Sequence, residues 1–181
     1  VSTLDELTEA RQINTDVRRR LIQRGVPFDD AVPLGVMIET PAAAQTCDLM
    51  ASEVDYLCLG TNDLIQYVLA LDRADRSSLR IYDPLHPAVL RVLKHVQSLV
   101  EPTGKPMIVC GELAADPQSA AVLLGLGFTR LSVNVGAYSR IKRMIRLSTL
   151  AELKQMADEI LGMRERKRIE ERVRETMVGD V

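Results

Sequence analysis

Tryptophan is absent from the 181-residue sequence, and aromatic residues make up only 3% of it. Base stacking needs aromatic faces, so composition speaks against a nucleic-acid platform. Lys and Arg number 23 against 25 Asp and Glu, a formal net charge of −2 that offers no basic field to a phosphate backbone. No nucleic-acid partner is expected. No apolar run approaches the roughly 20 residues that cross a bilayer, so no membrane partner is expected either. The opening VSTLDELTEARQ lacks the charged-then-apolar pattern of a secretory signal. The three cysteines, Cys47, Cys58 and Cys110, are odd in number and irregularly spaced. They frame neither a disulfide scaffold nor a zinc site, and the expected location is a reducing cytoplasm.

The sequence does hold 46% apolar and 27% charged residues, the balance of a soluble globular chain. Its length suits one domain with a sizeable core, or part of a larger one. Ser2 to Gly25 has helical period through Leu4, Leu7, Ile13, Val17 and Leu21, with Gly25 as a stop. Buried strands are predicted at 34–39 (LGVMIE), 56–60 (YLCLG), 107–111 (MIVCG) and 130–134 (RLSVN). Helices are predicted from Pro41, from Asn62 to Arg73, and from His86-Pro87 to about Val100. Others follow from Pro117 to Leu124, with Gly125 and Gly127 ending it, from Ala137 to Arg146, and from Thr149 to Leu161. Ala74 to Pro84 reads as a long polar loop. The tail from 164 to 175, RERKRIEERVRE, mixes six basic with four acidic residues and reads as a solvated helix with intrahelical pairs. Strands separated by helices imply parallel pairing with right-handed crossovers. Such an α/β chain fits a doubly wound sheet or one half of a (β/α)8 barrel.

Chemistry gathers at the strand ends. Glu39 closes the first strand, Asn62-Asp63 follow the second, and Cys110 closes the third. The carboxyl ends of parallel strands are where ligands bind. Two carboxylates on one rim repel unless something neutralises them, and Mg²⁺ takes one or two protein carboxylates together with substrate oxygens and water. Taken singly, Glu39 or Asp63 reads equally as a cap or a rim hydrogen-bond acceptor. Arg73 is either a cation complementing a helix C-terminus or a bidentate clamp for phosphate or carboxylate. Cys110 is either a small core residue or, as a thiol protonated at neutral pH, an acid.

Three motifs in this order, GVMIETPAAA, GTNDLIQYVLALDR and VCGELAAD, resemble the C-terminal, phosphoenolpyruvate-binding domain of Enzyme I of the bacterial phosphotransferase system. That family, the phosphoenolpyruvate–protein phosphotransferases, stands beside pyruvate phosphate dikinase and phosphoenolpyruvate synthase. The resemblance runs over about residues 1 to 157. It implies the C-terminal half of a (β/α)8 barrel over 1–161, a charged helical tail over 162–181, and Mg²⁺ as cofactor. By motif position it implies that Glu39 and Asp63 hold the metal, and that Asn62, Asp63 and Arg73 contact phosphoenolpyruvate. Cys110 is then the proton donor that turns the enolate of pyruvate into pyruvate once the phosphoryl group has left. Implied partners are phosphoenolpyruvate and pyruvate, an HPr-type phosphocarrier met through N-terminal domains that this sequence does not contain, and a second copy as homodimer. Cys58 stands where the family usually has Ser, and Ala115 where it usually has Gly. His86 and His95 read as structural residues of one helix, not as the phospho-accepting histidine. Alternatives are a dikinase or synthase fragment and a non-catalytic dimerisation module.

Half a barrel leaves its inward face without an opposing layer, at roughly 25 cal/mol for each Å² of apolar surface left in water. Against a total stability of about 5–15 kcal/mol this is a large penalty. The chain is therefore expected to self-associate or to be the visible part of a longer polypeptide. Sedimentation of the isolated chain tests this, and a stable micromolar monomer that unfolds cooperatively would contradict it.

Overall fold

The strand segments are short, and each returns to the sheet through helix, so parallel pairing is the only economical closure. The computed structural model describes residues 1–71 and 83–177. Gly35–Ile38 (β1), Tyr56–Gly60 (β2) and Met107–Cys110 (β3) form a parallel sheet in the order β1-β2-β3. Met37 is opposite Cys58, Cys58 is opposite Ile108, and Gly60 is opposite Cys110.

Alternation along each strand then divides the side chains between two faces. Val36, Ile38, Leu57, Leu59, Met107 and Val109 are buried beneath the helices. The opposite face carries Met37, which is 37% exposed, with half-buried Tyr56, Cys58, Ile108 and Cys110.

The predicted fourth strand is reduced to a single parallel bridge between Leu131 and Val109. The Val109 N–H donates to the Arg130 carbonyl at 2.9 Å, and the Ser132 N–H donates to the Val109 carbonyl at 2.8 Å. The next bonding position on the β3 side is Gly111, whose φ of 107° turns the chain away, so Val133 has no ladder to join.

Helix α1, Leu4–Gln23, begins in a capping box in which Thr3 and Glu6 satisfy each other's backbone N–H groups. It buries only Leu7, and Ile13 and Val17 stay exposed. The helix predicted from Pro41 is two short ones, α2 (Pro41–Gln45) and α3 (Cys47–Ala51), parted at Thr46. Next come α4 (Thr61–Val68) and α5 (Pro87–Val100), where His86 is the N-cap and its Nδ1 accepts from the Ala88 N–H at 3.1 Å. After β3 stand a one-turn helix, α6 (Glu112–Ala115), and then α7 (Pro117–Leu126), α8 (Val135–Leu147) and α9 (Leu150–Leu161). The tail forms α10, Arg166–Thr176. It carries the Arg166–Glu170 pair, but it also buries Ile169 and Val173, so one face is docked rather than solvated. Among the described residues, no helix is long and apolar enough to cross a membrane.

Gly127 ends α7 in the left-handed region, with φ 109°. Gly125 lies inside the helix instead of ending it, for a packing reason. A Cβ there would lie 2.2 Å from the Leu153 carbonyl oxygen and 2.9 Å from Ala157 Cβ, both on α9. Helix propensity alone favours alanine over glycine by about 1 kcal/mol, but the clash is with backbone that cannot rotate away. Gly125→Ala is expected to destabilise the chain by roughly 1–3 kcal/mol, read as a lower urea midpoint at unchanged slope. A higher midpoint would show that α9 yields more easily than its packing indicates.

Candidate active site at the carboxyl rim

Because the three strands are parallel, their carboxyl ends share one edge of the sheet. Glu39 leaves β1 there, Thr61 leaves β2, and Gly111 leaves β3. Glu39 lies against Gly60, since a Cβ at Gly60 would stand 3.1 Å from Glu39 Cβ and 3.3 Å from its Oε2. Gly60 in turn is the strand partner of Cys110. Glu39, Gly60 and Cys110 thus form one row across the sheet, and the absent side chain in the middle leaves a hollow between carboxylate and thiol.

Two hydrogen bonds fasten the turn after β2 to the turn after β3. The Thr61 hydroxyl, fully buried, donates to the Cys110 carbonyl at 2.8 Å. The Glu112 N–H donates to Asn62 Oδ1 at 2.9 Å. That bond commits the oxygen of the Asn62 amide and leaves its NH₂ as the donor end. Gly111 fits between them: with φ 107°, its Cβ would lie 2.4 Å from Thr61 Oγ1 and 2.8 Å from Asn62 Oδ1. Asp63 is half-buried in the first turn of α4, where the helix N-terminus favours a negative charge.

The Cys110 thiol donates to the Leu59 carbonyl at 3.3 Å and lies 3.8 Å from Met37 Sδ. Burial, then the Cys58 thiol, then the Glu39 carboxylate push the Cys110 thiol above its ordinary pKa. All three favour the neutral S–H form. Cys58 lies one same-face position below the rim, and its own thiol is raised by burial.

Of the residues singled out from sequence, Glu39, Asn62, Asp63 and Cys110 come together at this edge. Arg73, and the loop 74–84 up to residue 82, lie outside the described residues. Ala115 ends α6 without strain, since Ala70 alone among the described non-glycine residues has a positive φ. The break of β2 at Gly60-Thr61 is visible in the sequence, but the hydroxyl bond of Thr61, the hollow at Gly60 and the place of Met37 are not.

Residues 1–150 match the family described as PEP-utilising enzyme, PEP-binding domain. The chain is 37% identical over 161 residues to the phosphoenolpyruvate-protein phosphotransferase of Haemophilus influenzae, covering 89% of the chain and 28% of that protein. It is 38% identical over 158 residues to the protein of the same name from Borreliella burgdorferi, covering 87% of the chain and 28% of the relative. With the relative from Priestia megaterium the identity is 35% over 176 residues, 97% of the chain and 31% of that protein. The chain therefore spans about three-tenths of the length of these relatives.

Glu39 contributes to the elevation of the Cys110 thiol, after burial and Cys58. Glu39→Gln is expected to lower that pKa and so to speed alkylation of Cys110 by iodoacetamide at pH 8, because the thiolate is the reacting form. An unchanged or slower reaction would show that the carboxylate does not act on the thiol.

Proposed function

The chain belongs to the PEP-utilising enzymes, as a PEP-binding domain, and on that premise we propose that it is the phosphoenolpyruvate site of a protein-histidine phosphotransferase. In this reading the enzyme moves the phosphoryl group to a protein histidine and onward to an HPr-type carrier, and releases pyruvate in a cytoplasmic compartment. The histidine is read as coming from outside the chain, because His86 already serves as the cap of α5 and the Nε2 of His95 is buried away from the rim within the same helix. The fold is read as half of a (β/α)8 barrel. Sequential strand order, with one face of the sheet buried and the other partly exposed among the described residues, favours that over a doubly wound sheet, which has helices on both faces.

The observation that carries the reading is the row Glu39–Gly60–Cys110, with Asn62 and Asp63 on the adjoining turn. A phosphorylated enolate is rich in oxygen anions, so its site needs charge neutralisation and positioning more than a nucleophile. Asn62 presents amide donors, and Arg73 is assigned the bidentate contact to phosphate or carboxylate. Glu39 and Asp63 are hard oxygen donors that suit Mg²⁺. Among the described residues, no group of three or more His, Cys, Asp and Glu side chains gathers to form a closed cage. Mg²⁺ needs only one or two protein carboxylates and keeps water and substrate oxygens as its remaining ligands. When bound, Mg²⁺ offsets negative charge on phosphate and enolate oxygens.

Cys110 then completes the reaction. Its S–H bond breaks as the proton passes to the methylene carbon of the pyruvate enolate, a C–H bond forms while the enolate oxygen becomes the keto oxygen, and the thiolate left behind recovers a proton from solvent. The elevated thiol pKa keeps the donor charged with its proton at neutral pH.

Cys110→Ala, made in the polypeptide that also carries the accepting histidine, separates the two steps. Histidine phosphorylation from phosphoenolpyruvate is expected to persist, while enzyme-catalysed protonation of the enolate falls by about 10²–10⁴-fold. Loss of histidine phosphorylation in a folded variant would overturn the assignment of Cys110 as acid.

A further inference from the structure

The open face of the sheet gathers three sulfur atoms just beneath the rim. Met37 and Cys58 are partners across β1 and β2, and Cys110 stands on β3, one same-face position nearer the rim. Cys110 Sγ reaches across the end of β2 to Met37 Sδ, 3.8 Å away. Gly60 makes that meeting possible, because a Cβ there would lie 3.0 Å from Met37 Sδ. The separation has chemical meaning. Two sulfur ligands of a three-coordinate ion, each about 2.3 Å from it and spread by about 120°, stand about 4.0 Å apart, within a small adjustment of this separation. Cys58 supplies a third sulfur from the intervening strand, on the same face, directly opposite Met37 and two residues below the strand partner of Cys110. All three residues are partly accessible from the open face.

From this we propose that Met37, Cys58 and Cys110 form a binding site for a soft cation, Cu(I). One thioether and two thiols are the donor set that selects Cu(I) over the hard divalent ions suited to Glu39 and Asp63. On binding, the two thiols release their protons to solvent and three Cu–S bonds form. Copper stays Cu(I) and no electron is transferred. If the proposed function holds, the occupied site removes the proton donor and so links the enzyme to copper excess. The binding itself does not depend on that reading.

The test is a titration of the reduced chain, under argon, with Cu(I) supplied as its acetonitrile complex against bicinchoninate as competing chelator. Near-ultraviolet thiolate-to-copper absorption reports the site. One equivalent is expected to bind, about 100-fold more weakly in Cys58→Ser and about tenfold more weakly in Met37→Leu. Cys47→Ala, which alters only the buried third cysteine, is expected to bind as the parent does. Unchanged affinity in folded Cys58→Ser or Met37→Leu would overturn the site, as would loss of binding in Cys47→Ala. Circular dichroism separates loss of the site from loss of the fold. X-ray absorption of the loaded parent chain decides without any variant: three sulfur neighbours at about 2.3 Å support the site, and fewer overturn it.

Discussion

Side-chain alternation in three parallel strands is the constraint from which the other features follow. Val36, Ile38, Leu57, Leu59, Met107 and Val109 go beneath the helices, which obliges Met37, Glu39, Cys58, Gly60 and Cys110 to the other face. A slip of one residue in any strand would exchange those sets. It would drive Cys110 into the apolar layer and turn Leu59 or Val109 outward. The six buried residues therefore specify the register, and the register places the chemistry. Parallel direction adds the second requirement, since it brings all three carboxyl ends to one edge.

The rim is held by polar bonds rather than by apolar packing. Thr61 has no exposed surface, so its hydroxyl would be a net cost without a partner, and the Cys110 carbonyl is that partner. The bond fixes the backbone that carries the thiol. Asn62, gripped by the Glu112 N–H, fixes the neighbouring turn to the same frame. Gly60 and Gly111 contribute by what they lack. One leaves a hollow between Glu39 and Cys110, and the other permits both turns to close on each other.

The strand positions were legible because β1, β2 and β3 are apolar runs bounded by turn chemistry, and the structure departs from those predicted limits by no more than a residue. Gathering Glu39, Asn62, Asp63 and Cys110 at one edge follows from parallel pairing alone. The predicted fourth strand does not form beyond one bridge. Leu131-Ser132-Val133 has strand propensity, but a ladder needs a partner, and Gly111 withdraws it. Gly125 follows the last predicted helical residue, so the sequence places a stop there. Only the distance to the Leu153 carbonyl, a contact across 28 positions of sequence, explains the glycine. The roles of Thr61 and Met37 are hidden from the sequence for a similar reason. Their partners, Cys110 in both cases, lie 49 and 73 residues further along.

The same long-range logic gives the C-terminal helices a part in the site. The family match ends at residue 150, yet the core continues through Leu153, Met156, Ala157, Ile160, Ile169 and Val173. Helix α7 shows why. Ala120, Ala121, Val122, Leu123, Gly125 and Leu126 are all buried, so the helix has no polar face to turn to water. The core behind β3 covers part of it, and α9 and α10 must cover the rest. Arg172 pairs with Glu159 to tie those two helices together, while Arg166 reaches the buried Asp83 carboxylate at 3.3 Å, at the entrance to α5. Helix α7 begins six residues after Gly111, joined to it by the single turn of α6. Whatever holds α7 therefore limits how far the Cys110 turn can move, and α9 and α10 act on the rim through that short connection.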